Sequence, residues 1–267
     1  MEKINSFTIL RPAGNDQLLI NGIVEKKYRR EINDAMIRQF PNVEQVSFYE
    51  FNKKNNIARL ELAGGEFCGN ATRSLAYLLL KGKPGKILLQ VSGTTNMLSA
   101  GVNASNTAFA QMPIFNNFTC VQQLQKDLFR VDLEGISHLI CTKKLEIKKN
   151  KDLVDYAKKL LEKNNLLFSI AAAGVMFIEI NNNKLLLKPV VWVKNTQTIL
   201  YETCCASGTA AVALWYALQN NKSITNLQIK QPSNFYLNAT VRKDSSQFID
   251  LFIDGPIELI RRKESYE

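Results

Sequence analysis

The chain has 267 residues, 46% of them hydrophobic and 22% charged, which is ample for a packed core and fits one large domain or two small ones. Its net charge of +10 (34 Lys+Arg against 24 Asp+Glu) invites a nucleic-acid reading. The basic residues are scattered through Lys26-Lys27-Tyr28-Arg29-Arg30, Lys143-Lys144, Lys148-Lys149 and Arg261-Arg262-Lys263 without RNP, zinc-finger or basic-zipper spacing, so a solvated, lysine-rich surface is preferred over a nucleic-acid-binding module.

In chain order, Met1 to Ser6 lacks the charged-then-apolar layout of a signal peptide. Ser6 to Leu10 reads as a strand, Arg11 to Asp16 as a turn cluster and Gln17 to Ile20 as the next strand. A short helix is expected over Glu31 to Gln39, stopped by Pro41, then a strand from Val43 to Tyr49. Ile57 to Leu62 alternates apolar and charged residues, as a half-buried strand does. It leads into Ala63-Gly64-Gly65-Glu66-Phe67-Cys68-Gly69-Asn70-Ala71-Thr72-Arg73, and an apolar helix follows. Lys86 to Val91 and Thr107 to Met112 read as strands, and Pro113 to Phe118 breaks the pattern, which places a domain boundary between 117 and 118.

The second half repeats the plan. Leu128 to Leu133 and His138 to Cys141 read as strands, and Lys151 to Lys163 as an amphipathic helix. Gly174 to Ile180 and Leu185 to Val193 are strands joined through Asn181-Asn182-Asn183. Leu166 to Ile180 is the longest mainly apolar run, and it is too short and too interrupted to span a bilayer. Then comes Cys205-Ala206-Ser207-Gly208-Thr209 and an Ala/Leu-rich helix, followed by strands at Ile224 to Ile229, Phe235 to Val241 and Phe248 to Ile253. Five cysteines, three scattered and two adjacent, make no disulfide framework and point to a reducing, cytoplasmic setting.

Cys68 and Cys205 therefore each stand where a turn feeds a helix. A helix N-terminus offers free N–H groups and partial positive charge, which favour a thiolate and hold an anion. A lone cysteine in such a place is most often a small buried hydrophobe; the echo in the other half argues for two thiols acting on one carboxylate-bearing substrate. No zinc-ligand spacing, phosphate loop, dinucleotide fingerprint or pyridoxal phosphate lysine context is legible, so no metal and no cofactor is expected.

Cys68-Gly69-Asn70-Ala71-Thr72-Arg73 and Cys205-Ala206-Ser207-Gly208-Thr209 resemble the paired motifs of the diaminopimelate epimerase and proline racemase superfamily, cofactor-independent enzymes that invert an amino-acid α-carbon with two cysteines. Ala63 to Arg73 is most similar to the histidine racemases of opine-metallophore biosynthesis. The resemblance covers most of the chain in order and is strong only at the two motifs. It implies an α+β fold of two pseudo-symmetric domains (1–117 and 118–267), each a mixed, largely antiparallel sheet around a central helix, with the site in the cleft and the C-terminal tail returning to the first half. It implies Cys68 and Cys205 as the catalytic pair, with Cys204 a structural neighbour. Gly69, Asn70, Ala206, Ser207 and Gly208 would hold substrate largely through backbone N–H groups. Gly14-Asn15-Asp16 resembles the family's Gly-Asn-Asp, whose Asn contacts substrate, and Glu44-Gln45 resembles an Asp-Gln pair whose Gln faces it. Without the cysteines these two would read as a hairpin turn and a surface strand residue.

His138 resembles the histidine of the family's Gly-Asn-Pro-His segment, although Ile136 and Ser137 stand at the Asn and Pro positions. A supporting role and a satisfied core histidine both stay open. Glu66 and Glu202 either bind a cationic or imidazole side chain or form surface pairs. Arg59, Thr196 and Gln197 replace the family's Asn and its Glu-Arg pair, which weakens diaminopimelate as substrate. The reading is an amino-acid racemase with a free amino acid as its partner and histidine as leading substrate. Diaminopimelate epimerase and a non-catalytic small-molecule-binding protein are the alternatives. No nucleic-acid or membrane partner is expected, and a homodimer stays open.

Overall fold

The computed structural model of the chain describes residues 6–147, 149–167, 169–181 and 184–263. The first half runs β1 (Phe7–Pro12), β2 (Asp16–Asn21), α1 (Lys26–Gln39), β3 (Val43–Asn52), β4 (Ile57–Leu62), α2 (Gly69–Leu80), β5 (Gly85–Val91), β6 (Leu98–Val102) and β7 (Ala108–Gln111). A single 3-10 turn over Phe118–Cys120 leads to β8 (Val121–Gln125), β9 (Leu128–Leu133), β10 (Ile136–Cys141), α3 (Asn150–Lys163), β11 (Ala172–Asn181) and β12 (Lys184–Val193). The chain ends through β13 (Thr198–Tyr201), α4 (Ala206–Gln219), β14 (Ile224–Lys230), β15 (Tyr236–Lys243), β16 (Phe248–Gly255) and β17 (Ile257–Lys263).

The pairings show the internal repeat. In the first half β1–β2 is antiparallel, β2–β3 parallel across α1, β3–β4 antiparallel, β4–β5 parallel across α2, then β5–β6 and β6–β7 antiparallel. In the second half β9–β10 is antiparallel, β10–β11 parallel across α3, β11–β12 antiparallel, β12–β14 parallel across α4, then β14–β15 and β15–β16 antiparallel. The fold is α+β with two pseudo-symmetric halves, as the sequence implied. The halves also exchange strands: β16 pairs with β7, and β17 pairs with β1.

The burial pattern explains which helix sits where. On α4 every residue from Ala206 to Trp215 is buried, and on α2 every residue from Gly69 to Ala76. α4 is apolar or small on nearly every side, as a core helix is, whereas α2 buries Asn70, Thr72, Arg73 and Ser74 among its apolar residues; both lie in the largest apolar cluster with Leu75, Leu214, Phe248 and Ile253. Leu153, Ala157 and Leu161 give α3 a single apolar stripe, so it covers the outer face of its half through Val175, Phe177 and Trp192. α1 does the same over Phe7, Ile9, Leu18 and Phe48. Among the described residues no helix is long and apolar enough to cross a membrane.

Several expectations need correction. α1 begins at Lys26, not Glu31. The basic run is its first turns, where buried Arg29 donates to the Val24 carbonyl and pairs with Glu61 at 2.9 Å. β1 continues to Pro12, leaving only Ala13-Gly14-Asn15 as the turn. β6, β8, β13 and β17 were not foreseen. The predicted link through Asn181-Asn182-Asn183 falls partly at 182 and 183, outside the described residues.

Candidate functional site

The two cysteines open α2 and α4 with nearly the same local geometry. Cys68 is the N-cap of α2 at φ −135°, ψ 113°, and Cys205 that of α4 at φ −127°, ψ 108°. Each sulfur accepts a backbone N–H of the first turn, from Ala71 at 3.4 Å and from Gly208 at 3.3 Å, the task an N-cap oxygen usually performs. Each is followed four residues on by a threonine whose hydroxyl returns to the cysteine carbonyl, Thr72 at 2.8 Å and Thr209 at 2.7 Å. The helix starts meet through their smallest residues. A Cβ added to Gly69 would lie 2.9 Å from Ala206 Cβ, and one on Gly208 would lie 2.2 Å from Met176 Sδ.

Cys68 and Cys205 line one narrow cavity of ≈ 40 Å³ between the halves. Asn15, Gln45, Asn70 and Ser207 form its polar side with Glu66 and Glu202, and Ile136, Ala172, Val191 and Val193 its apolar wall. Among the described residues no Lys or Arg faces it. A larger open groove of ≈ 560 Å³ around Lys184, Tyr216, Lys222 and Asn226 shares no residue with this cavity and holds no cysteine or carboxylate.

A network crossing between the halves fixes the polar side. The Cys204 carbonyl accepts from Asn15 Nδ2 at 3.1 Å and from Asn70 Nδ2 at 2.9 Å. Arg73, fully buried, holds Asn70 through its Oδ1 at 3.0 Å and also donates to the Gly255 and Ala108 carbonyls. Asn15 further donates to Glu44, whose other oxygen accepts from Thr203 Oγ1 at 2.8 Å. The turn carrying Asn15 takes positive φ at Ala13 and Gly14, and a Cβ on Gly14 would strike Ser233 Cβ at 2.3 Å. Glycine is therefore required where the second half closes over this turn. Gln45 donates to Glu66, and the Cys68 thiol lies 3.9 Å from Gln17 Oε1.

Behind Cys205 a short relay leads inward. Its sulfur lies 3.5 Å from Ser207 Oγ, which lies 3.0 Å from Nε2 of buried His138. Burial pushes the imidazole down to about 3, so the ring is neutral. Nδ1 has no partner and packs against Gly174, where a Cβ would lie 2.6 Å away. A bare lone pair there costs less than a bare N–H, which assigns the proton to Nε2. His138 then donates to Ser207, and the Ser207 hydrogen is left facing Cys205.

Burial pushes the Cys68 thiol up to about 12, with Glu202 and Glu66 adding to the rise against the Ala71 N–H. Cys205 is raised too, by burial first and then by Glu202, to which it is hydrogen-bonded. The expected lowering of both thiols at the helix N-termini is thus outweighed in this geometry by desolvation and neighbouring carboxylates. Burial is also the main reason that Glu44 rises to about 7 and Glu202 to about 8, each repelled by other carboxylates, and that Glu66 rises.

The structure brings together Cys68, Cys205, Asn15, Gln45, Gly69, Asn70, Ala206, Ser207, Glu66 and Glu202 around the cavity. Gly208 reaches it only through its N–H on Cys205, and His138 only through Ser207. Glu66 makes no surface pair: it is 4% exposed. Arg59 is exposed on β4, paired with Glu61, and Thr196 and Gln197 lie in the turn after β12. None of the three lines the cavity. Sequence reasoning named Glu44 only as the neighbour of Gln45 and missed Thr203 and Gln231, whose Oε1 accepts the Cys205 N–H at 3.1 Å. It also missed Thr72 and Thr209, although both stand four residues after their cysteine and the echo already contained them.

A family model described as the histidine racemase CntK N-terminal domain matches residues 4–266. A histidine racemase of Fusobacterium nucleatum subsp. nucleatum is 30% identical, with 99% of this chain and 98% of that protein covered. One of Staphylococcus aureus is 22% identical over 88% of each. Among solved structures, a hydroxyproline epimerase of Agrobacterium vitis, with bound trans-4-hydroxy-L-proline, superposes with a TM-score of 0.68 at 11% identity, covering 96% of this chain and 91% of that one.

Proposed function

The chain belongs to the histidine racemase family, and from that membership we propose that it inverts the α-carbon of a free amino acid, histidine first among them, with Cys68 and Cys205 as its two bases. The observation carrying this reading is that two matched cysteine N-caps, one from each half, line a single cavity. The division at 117/118 belongs to the same proposal, since each side then supplies one thiol.

The first N–H groups of α2 and α4 have no intrahelical partners and converge where Gly69 meets Ala206. A substrate carboxylate held there receives two helix N-termini and keeps them as charge spreads onto it when the α-proton leaves. The α-carbon then lies between the sulfurs. One thiolate takes the α-proton and the opposite thiol gives its proton to the other face, so the two exchange roles in the reverse direction.

Desolvation and carboxylates hold both thiols neutral as they stand. A substrate ammonium entering beside Glu202 supplies the positive charge that offsets this and makes one thiolate accessible. The relay through Ser207 donates to that thiolate on the Cys205 side. The cavity is narrow, ≈ 40 Å³ against the ~300–1,000 Å³ usual for small-molecule sites, so the halves move apart to seat substrate and close again for the chemistry. A distal carboxylate, as in diaminopimelate, would meet Glu66 and Glu202 and no cation.

Incubation of the purified protein with L-histidine in D₂O tests the reading. α-Deuterium should enter histidine together with loss of optical rotation. Absence of α-exchange with histidine, or a clear kcat/KM preference for LL-diaminopimelate, would overturn the substrate assignment. A tight amino-acid ligand without any exchange would instead make this a binding protein.

A further inference from the structure

Of the three carboxylates near the cysteines, two have claimed partners. Glu44 accepts from Asn15 and Thr203 with separate oxygens, and Glu202 is hydrogen-bonded to Cys205. Glu66 differs. Its Oε1 accepts from Gln45, while Oε2 is buried and has no partner. The residue lines the same cavity as both cysteines, and no Lys or Arg pairs with it among the described residues. Its backbone is fixed, because Ser92 Oγ donates to the Glu66 carbonyl at 2.8 Å. The carboxylate rests on Gly64, where a Cβ would lie 2.2 Å from Oε2 and 3.0 Å from Cδ. The loop before Cys68 is therefore shaped to admit a carboxylate and leaves one of its oxygens unclaimed by any group of the described residues. An orphaned buried oxygen of this kind calls for a ligand donor.

We propose that Glu66 is the specificity-determining residue for the substrate side chain, its free Oε2 accepting a ring N–H of the amino acid. The inference rests on the racemase reading above. The substrate carboxylate is assigned to the helix N-termini and the α-carbon to the space between the sulfurs, which leaves the side chain to reach the loop preceding Cys68. A neutral or charged imidazole carries an N–H that fits; an aliphatic side chain would bury Oε2 without a donor.

Glu66→Gln tests this with little change of shape. Gln45 donates to the Oε1 position, so the new amide must place its oxygen there and turn its NH₂ toward the substrate. Donor then faces donor. KM for L-histidine should rise by about ten- to a hundredfold with kcat within a few-fold of wild type, the range expected for a stranded buried donor. Gly64→Ala, which displaces the carboxylate, should copy that rise. The two ring-N-methyl isomers of L-histidine serve as competitive inhibitors. A methylated ring carries an N–H only as imidazolium, so the comparison is made at about pH 5.5, below the ordinary imidazole pKa of about 6.5; there Glu66→Gln should weaken the isomer whose N–H faces Glu66 clearly more than the isomer whose methyl does. An unchanged KM in Glu66→Gln, or equal weakening of both isomers as an ammonium contact would give, overturns the proposal. Failure of wild-type protein to racemise histidine would instead refute the underlying substrate assignment.

Discussion

Gly69→Ala puts the closure of the two helix starts to the test. The added Cβ would lie 2.9 Å from Ala206 Cβ and 3.1 Å from both Sδ and Cε of Met112. Carbon atoms pack at about 3.5–4.0 Å, so the Gly69–Ala206 gap must widen by roughly 0.6–1 Å. Met112 can swing aside, since an unbranched thioether adapts; Ala206 cannot, being a methyl fixed to a helix backbone. Cys68 and Cys205 directly precede these residues and move with them. An overpacked core contact costs about 1–3 kcal/mol, and a displacement near 1 Å at a reacting centre costs about a hundredfold in rate. Urea melts should show the first loss, and chiral chromatography of histidine a fall in kcat of about 10- to 100-fold. Moving the methyl across the interface, in Gly69→Ala/Ala206→Gly, restores the clearance and should recover most of the rate. A single variant at wild-type kcat, or a double variant no faster than the single, would refute the view that this contact sets the spacing of the thiols.

Cys68→Ser and Cys205→Ser should each fold, as judged by circular dichroism, and lose nearly all α-proton exchange, whereas Cys204→Ala should keep most of it; a fast serine variant at either position would end the two-base scheme. Ser207→Ala removes the hydrogen facing Cys205, so the acidic limb of the pH–rate profile should move to higher pH, and an unmoved limb would remove His138 and Ser207 from the chemistry. Glu44 and Glu202 rise from an ordinary 4.5 to about 7 and 8, so folding favours their protonated forms. Their contribution to stability is full below the usual carboxylate range and is lost as pH rises through about 7–8. The melting temperature should fall between about pH 5 and pH 8, and less so in Glu202→Gln; an identical fall in that variant would place the cause elsewhere.

Much of the architecture was legible because the elements obey simple periods. Ile57 to Leu62 alternates and is β4; Leu153, Ala157 and Leu161 mark the inner face of α3. The strands that escaped notice lack such a period. β6, Leu98-Ser99-Ala100-Gly101-Val102, is buried at every position, so nothing alternates. β8 and β17 are mostly exposed and polar, and read as loop. At the site, the cysteines and their small neighbours were visible as a repeat. The fate of Glu66 was not, because a glutamate in a turn is a surface residue until Gly64 and Gln45 are seen to enclose it. The effect on the thiols was also hidden, since a helix terminus is local while desolvation depends on what the other half brings.

The return of the last strand to the first couples synthesis order to assembly. β1 pairs on one side with β2, formed within a few residues, and on the other with Ile257–Lys263. A growing chain therefore carries one edge of β1 unpaired until Ile257–Lys263 has been made. Contacts of such sequence separation slow folding, and an exposed strand edge of Phe7, Ile9 and Leu10 is a template for pairing with other chains. Refolding should be limited by this late docking, and a chain cut after Gly255 should aggregate before it loses its helices. The same clasp ties the segment following β16 to the turn bearing Asn15, through Ala13 N–H to the Pro256 carbonyl at 3.1 Å. The polar side of the cavity is thus completed only when the chain has closed on its own beginning.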